Sequence, residues 1–208
     1  MTSLSDIGLQ IGVLVESIVS TYSGDTPHAA AMGCMTPDGF TLVIRPFTNT
    51  QTFRNLLDRR SLVVNITHDP SLFYRVVFGE PVEFEESRFV DAPVVKEAVA
   101  WVEAVSLESK PLSSERVEVL CQVKHVEARL ARPLPYSRAE HALMESLIHY
   151  TRVKVFKQAG MQQEASKLVE KIKDYERLIR RVSTNPSHLA MVARVVEEIG
   201  KLGYDCRG

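Results

Sequence analysis

Residues 28–67, HAAAMGCMTPDGFTLVIRPFTNTQTFRNLLDRRSLVVNIT, decide more about the fold than any other stretch of the chain. They predict a strand of small residues, a Pro-Asp-Gly turn and an apolar strand that ends at Arg45. A hydroxyl-rich loop follows, then a short helix over 51–60 and a buried strand over 62–66. The segment therefore predicts a β-rich unit with a polar loop at the start of its helix.

The polar loop concentrates hydroxyl and amide groups just before the predicted helix: Thr48, Asn49, Thr50, Gln51 and Thr52. Such groups suit a phosphate monoester, because the free amides and the dipole of a helix N-terminus favour an anion. Arg45, three residues upstream, could add a charge-assisted hydrogen bond. The spacing is also compatible with a plain helix cap at Thr50 or Asn49, and with Arg45 as a solvated charge.

Outside this segment the chain predicts β structure in its first two-thirds and helices in the last third. Strands are expected over 8–20, 75–78, 82–84 and 116–130, and a helix over 92–105, where APVVKEAVAWVEAV combines helical spacing with good helix formers. Three helices are expected from Ser137 to about 158, over 162–182 and from Asn185 to about Gly200 or Gly203. The prediction is an α+β fold with a β-rich domain over 1–132 and an α-helical domain over 133–208.

Composition excludes several classes of function. The 25 Lys and Arg residues nearly balance 26 Asp and Glu residues, so no overall field attracts nucleic acid or anionic lipid. Cys34, Cys121 and Cys206 lack the paired spacings of zinc sites or disulfide frameworks. The apolar stretches are too short for a membrane span, and the N-terminus lacks signal-peptide character. We expect a cytoplasmic protein with no nucleic-acid or membrane partner.

The first C-terminal helix carries a charged stripe. His141, Glu145 and His149 recur every four residues, and Arg138, Glu145 and Arg152 recur every seven. The His-Glu-His spacing is one that a metal ion could use, but an ion-paired surface or a subunit contact is the favoured interpretation. No metal site is predicted, and the stripe is expected to lie outside the core.

Five stretches in fixed order resemble the DUF447 family: Glu16–Thr21, His28–Gly33, Arg45–Leu56, Val63–Phe73 and Tyr136–Arg152. Together they extend over nearly the whole chain. The resemblance implies an FMN-binding split β-barrel, related to flavin reductases and pyridoxamine phosphate oxidases, followed by a helical unit. It does not supply a reaction.

The resemblance also implies where FMN would bind. The phosphate would lie at the polar loop, with Asn65 in the next strand and Arg45 at the phosphate or ribityl chain. Small residues in the strand from His28 would let the ring approach, although they equally suit tight packing. The charged stripe would pack over the barrel mouth, near the flavin or its substrate. The full expected set is His28, Ala30, Met32, Arg45, Thr48, Thr50, Gln51, Thr52, Asn65, His149 and Arg152.

Three functions remain open at this point. The first is a homodimeric, flavin-dependent oxidoreductase of unknown substrate, with FMN at the subunit interface as the resemblance implies. The second is a non-catalytic FMN carrier or redox sensor, favoured by the lack of an obvious acid, base or nucleophile beside the expected flavin. The third is an interaction protein that uses its C-terminal helices. No catalytic residue is assigned.

Overall fold

The computed structural model describes residues 2–129 and 133–205, apart from the side chains of Pro70 and Tyr74. The chain divides into two compact units, Met1–Tyr136 and Ser137–Gly208. The boundary predicted from the sequence, after residue 132, and Cys206 both lie outside the described residues.

The first unit is a closed antiparallel barrel with strand order β1-β2-β3-β8-β7-β4. A two-stranded sheet, β5-β6, and two helices accompany it. The strands are β1 (Val15–Ser23), β2 (Thr26–Met35), β3 (Thr41–Ile44), β4 (Ser61–Ile66), β5 (Phe84–Glu86), β6 (Pro93–Val95), β7 (Ala100–Pro111) and β8 (Val117–Ala128), and the helices are α1 (Gln51–Arg59) and α2 (Pro70–Phe78). A short 3₁₀ helix, Ser5–Ile7, precedes the barrel.

Local sequence chemistry accounts for the segment 28–67. Asp38 forms the turn between β2 and β3, because its carboxylate accepts the amides of Phe40 and Thr41. The strand predicted over 62–66 is β4, buried along almost all of its length between β1 and β7. A strand paired on both sides and covered on both faces is rich in apolar residues, as Leu62, Val63, Val64 and Ile66 are here.

The prediction of a helix over 92–105 is wrong. This stretch forms β6 and the first half of β7, and β7 pairs with β4 on one side and β8 on the other. Ala100, Val102 and Ala104 are fully buried in the barrel core. Alanine is the best helix former, but intrinsic propensity is small in energy, so the backbone and packing interactions of a central strand override it.

Two further strand predictions need correction. Residues 75–78 belong to α2, which begins with Asp69 as its N-cap, followed by Pro70, and ends at Gly79 in the left-handed conformation (φ 69°). Residues 8–14 lie ahead of β1 in a turn-rich segment instead of extending the strand. In both places short apolar runs gave no period that distinguishes strand from helix or loop.

The second unit consists of the three predicted helices: α3 (Arg138–Gln158), α4 (Gln162–Val182) and α5 (Pro186–Lys201). Ser137 caps α3 by accepting the Glu140 amide at 3.4 Å, and Asn185 caps α5 by accepting the Ser187 amide at 2.9 Å. Val153, Ile172 and Ile199 belong to the core that joins the helices. Across residues 2–129 and 133–205, no helix is long and apolar enough for a transmembrane span.

Candidate functional site

The polar loop between β3 and α1 is hydrogen-bonded to the turn between β7 and β8. The Thr48 amide donates to the Glu115 carbonyl at 2.8 Å, and the Thr48 hydroxyl donates to the same carbonyl. The guanidinium of Arg116 lies 4.1 Å from the centroid of the Phe47 ring. A cavity of about 420 Å³ opens here, lined by Phe47, Thr48, Asn49 and Glu115.

Thr50 is the N-cap of α1, as one interpretation of the sequence held. Its hydroxyl accepts the Phe53 amide at 3.4 Å and donates to the Phe47 carbonyl at 2.7 Å. The amides of Gln51 and Thr52, in the first turn, have no carbonyl ahead of them within the helix to which they could donate. The cap and an anion-binding helix terminus are therefore compatible in the same loop.

Two arginines near the loop differ in their partners. Arg45 emerges at the end of β3, 40% exposed, and its guanidinium binds the Glu118 carboxylate at 2.9 Å. Arg54, on the first turns of α1, donates to the Asn49 carbonyl at 3.3 Å and to the Gln51 side chain at 3.1 Å. The sequence prediction named Arg45 and missed Arg54, although the predicted helix already placed Arg54 three residues from Gln51.

Polar side chains connect α1 to the hairpin formed by β1 and β2. Nε2 of His28 lies 3.3 Å from the Thr52 hydroxyl, and the Asn55 amide donates to the Thr21 hydroxyl at 2.9 Å. Gln51 donates to Ser23 at 3.0 Å. Partial burial lowers the pKa of His28, so its imidazole is neutral at pH 7. The structure thus brings the predicted residues His28 and Thr52 together.

The strand β2 is paired along only part of one edge. It pairs with β1 throughout, but with β3 only at Cys34 and Met35. Within the described residues, therefore, no strand covers the second edge of β2 before Cys34. His28, Ala30 and Met32 alternate along this part of β2, lie on one face and are partly exposed.

Asn65 makes its hydrogen bonds within the barrel, and its place in a ligand site stays a prediction. It is fully buried, and its amide nitrogen donates to the Ile18 carbonyl at 2.9 Å and the Ser20 hydroxyl at 2.8 Å. Its side-chain oxygen accepts the Val95 amide at 2.8 Å. The side chain therefore joins β4 to β1 and β6, and its hydrogen-bonding capacity is used within the barrel.

The sequence predicted that the charged stripe on α3 lies outside the core, but in the structure one of its residues is buried. His149 is buried within the helical unit, its ring centroid 5.8 Å from that of Tyr175 on α4, whereas His141 and Arg152 are exposed. Among the described residues neither ring nitrogen of His149 has a hydrogen-bond partner, and burial lowers its pKa. A role of His149 and Arg152 near a flavin stays a prediction.

The described residues contain neither a reactive thiol nor a group of metal-binding side chains. Cys34 and Cys121 are free and buried, and burial raises the pKa of each thiol to about 12. Within ranges 2–129 and 133–205 no three His, Cys, Asp or Glu side chains are grouped to hold a metal ion.

Comparison with known families covers both units. A family model, "Protein of unknown function (DUF447) N-terminal domain", matches residues 15–129. The chain belongs to the DUF447 family. A second DUF447 model matches residues 137–193, within the helical unit. The resemblance noted in the sequence is thereby confirmed.

Solved structures agree with this assignment. The chain is 25% identical to FMN-bound protein MM1853 from Methanosarcina mazei, a DUF447 protein, over 93% of this chain and 98% of that one, with a TM-score of 0.53. It is 12% identical to the NADH:FAD oxidoreductase SgcE6 of Streptomyces globisporus C-1027, over 60% of this chain and 74% of that one, with a TM-score of 0.50. Nitrilotriacetate monooxygenase component B from Mycobacterium thermoresistibile is 16% identical, over 59% and 73%, with a TM-score of 0.50. The last two show the fold alone, and the predicted split β-barrel with C-terminal helices is confirmed.

Proposed function

We propose that this DUF447 protein is an FMN-binding flavoprotein. The observation that carries the proposal is its similarity, over 93% of its length, to a DUF447 protein whose structure contains FMN. The open edge of β2 and the polar loop before α1 provide groups that fit the two ends of such a ligand.

The phosphate would bind at the N-terminus of α1. The amides of Gln51 and Thr52 have donor capacity there, and Thr48 and Asn49 line the adjacent cavity. Glu115 also lines the cavity and would repel a dianion, so a cation is needed close by. Arg54, whose guanidinium already contacts Asn49, can supply it.

The ring would lie along the uncovered edge of β2. Backbone amides and carbonyls at a strand edge can bond the polar edge of a flat heterocycle, and Ala30 presents no bulky side chain there. His28, neutral at pH 7, lies between this edge and Thr52 of α1. Arg45, Thr50 and Asn65 would act indirectly, through the ion pair, helix cap and barrel contacts described above.

We further propose that the protein is a cytoplasmic homodimer in which two barrels share each flavin. The support is the edge of β2 that no described strand covers, because one copy of the barrel would enclose a ligand there on one side only. FMN, when bound, would supply hydride or electron transfer, while the protein supplies orientation and electrostatics. The function is then a flavin-dependent oxidoreductase of unknown substrate.

A non-catalytic FMN carrier is the second candidate. It is favoured by the chemistry around the loop, where Arg45 is paired with Glu118 and the Thr48 and Thr50 hydroxyls already donate to carbonyls. Anaerobic mixing of the FMN-loaded protein with NADH or NADPH separates the two functions. Bleaching of the flavin absorbance, reversed by an added acceptor, supports the oxidoreductase, and an unchanged spectrum supports the carrier.

Flavin binding itself is tested by titration of the protein with FMN and with riboflavin, which lacks the phosphate. In Arg54→Gln, we expect FMN affinity to fall by about tenfold, the value of one charge-assisted hydrogen bond, while riboflavin affinity stays unchanged. Arg88→Gln, an exposed arginine on the β5–β6 loop, is the matched control. The proposal is wrong if the wild-type protein binds neither flavin, and the phosphate assignment is wrong if both variants behave alike.

A further inference from the structure

The outer face of α3 is apolar, which is unusual for a solvent-facing helix. Met144, Ile148 and Val155 are 58%, 38% and 59% exposed, and Leu147 beside them is 42% exposed. The spacing of four and seven residues places Met144, Ile148 and Val155 in one stripe. The buried residues of α3, among them Ala142, Ser146 and Val153, lie on the opposite side. This stripe, residues 144, 147, 148 and 155, is called the α3 face below.

The neighbouring helix α4 shows what an ordinary solvent face in this unit contains. Its exposed side is covered by ion pairs within the helix, such as Lys173 with Glu170 at 2.8 Å and Arg180 with Glu176 at 2.9 Å. The α3 face has large apolar side chains at the corresponding positions. A surface of this kind is typical of a contact with another protein surface.

Charges flanking the α3 face indicate its occupant. Glu145 and Arg152 are seven residues apart and lie along one side of the face, and Glu140 and Lys154 are fourteen apart and lie along the other. When two copies of a helix pack antiparallel about a two-fold axis, each side of one helix faces the same side of its copy. Glu145 then approaches Arg152 of the second copy, and Glu140 approaches Lys154.

The two charge pairs agree on a register. Their midpoints fall within about two residues of each other, on either side of Ile148, so one axis near Ile148 satisfies both pairs. In a parallel arrangement, residues with the same number lie at the same level of the two helices. Arg152 of one copy would then approach Lys154 of the other, and the two positive charges would repel each other. We propose that the α3 face is a two-fold interface at which α3 packs antiparallel against α3 of a second copy of this chain.

No residue of the α3 face takes part in the loop or in β2, but Arg152 beside it belongs to the expected flavin set, so flavin binding is compared only in variants that keep Arg152. The test of the proposed interface is disulfide cross-linking of the protein carrying Ile148→Cys, with Cys206→Ser to remove the third native thiol. Cys34 and Cys121 are buried and do not interfere. In the proposed register, two Cys side chains at position 148 lie within the distance that a disulfide spans.

Val155→Cys, in the same background, is the matched control. In the antiparallel register its copy lies about 21 Å away along the helix axis, so cross-linking should be at least about tenfold slower. Adding Glu145→Arg to Ile148→Cys should slow cross-linking by roughly tenfold, and adding Arg152→Glu as well should restore it.

Three results would overturn the interface. They are equal cross-linking at positions 148 and 155, no cross-linking at position 148 in a folded protein, and no effect of reversing Glu145. The first indicates parallel packing or random collision, and the second indicates that another surface covers the face. FMN titration of Ile148→Cys and Val155→Cys, which keep Arg152, tests the flavin site separately, so failure of one proposal does not decide the other.

Discussion

Replacing Asn65 by alanine should destabilise the barrel without changing a flavin site. The substitution leaves the buried amide of Val95 without its acceptor and removes a donor to the Ile18 carbonyl. A buried N–H group without an acceptor destabilises the folded state by roughly 2 kcal/mol, and the loss of a buried hydrogen bond by roughly 1 kcal/mol. We therefore expect a loss of about 3 kcal/mol in the free energy of unfolding, a large share of what a small domain has.

Urea denaturation followed by tryptophan fluorescence measures this loss. Trp101 is the single tryptophan, and it pairs across strands with Asn65, so its emission reports the barrel and not the helical unit. Asn49→Ala is the matched control, because Asn49 is exposed and lines the cavity beside the loop. Its stability should stay within about 0.5 kcal/mol of wild type, whereas its FMN affinity should fall.

The reasoning is refuted by the opposite pattern. If Asn65→Ala unfolds at the wild-type urea concentration but loses FMN, then Asn65 is a ligand residue, and the hydrogen bonds to Ile18 and Val95 contribute little. Full FMN affinity in Asn65→Ala under native conditions, together with a lowered urea midpoint, agrees with the structural role.

Three further outcomes are expected. Neutral, buried His149 should make the helical unit lose stability as the pH falls below about 6.5, since the unfolded chain then binds a proton that the folded histidine resists. Urea denaturation followed by circular dichroism should show this pH dependence in wild type and not in His149→Leu. Thr50→Val should cost about 1 kcal/mol in the barrel through loss of the α1 cap, and Thr50→Ser should retain most of that stability in the Trp101 assay. Cys34 and Cys121, with each thiol pKa raised to about 12, should react with a maleimide only after unfolding, as mass spectrometry can show.

Each of these has a result that contradicts it. His141→Leu, at an exposed position of the same helix, should keep the wild-type pH dependence, and the assignment to His149 fails if it does not. Equal stability of Thr50→Val and wild type would mean that the cap contributes nothing. Rapid labelling of Cys34 or Cys121 in the native protein would show that the barrel opens far more readily than its packing indicates.

Much of the fold could be predicted because short-range chemistry specifies it. Asp38 in its turn, Thr50 and Ser137 as caps, and Asn185 before Pro186 each act within a few residues of their own position. Those segments formed as expected. The stretch 92–105 did not, because its choice between helix and strand depends on β4 and β8, which lie far away in sequence.

The residues of the candidate site also fall into those that the sequence could predict and those that it could not. The hydroxyl-rich loop before α1 could be recognised from the sequence, since its groups are consecutive. Glu115 and Arg116 could not, because about seventy residues separate them from Phe47 and Thr48, and only the closed barrel brings the two turns together. For the same reason the sequence alone could not reveal that Glu118 engages Arg45.

By itself the sequence determined where turns and caps lie, that the run over 62–66 is a buried strand, and that a polar loop precedes a helix, because backbone preferences and side-chain periodicity are local properties. Tertiary structure alone decided that Asn65 makes hydrogen bonds within the barrel, that His149 is buried, and that no strand among the described residues pairs with one edge of β2 before Cys34. Burial and partner choice depend on which distant segments meet, and that is a property of the whole packed chain.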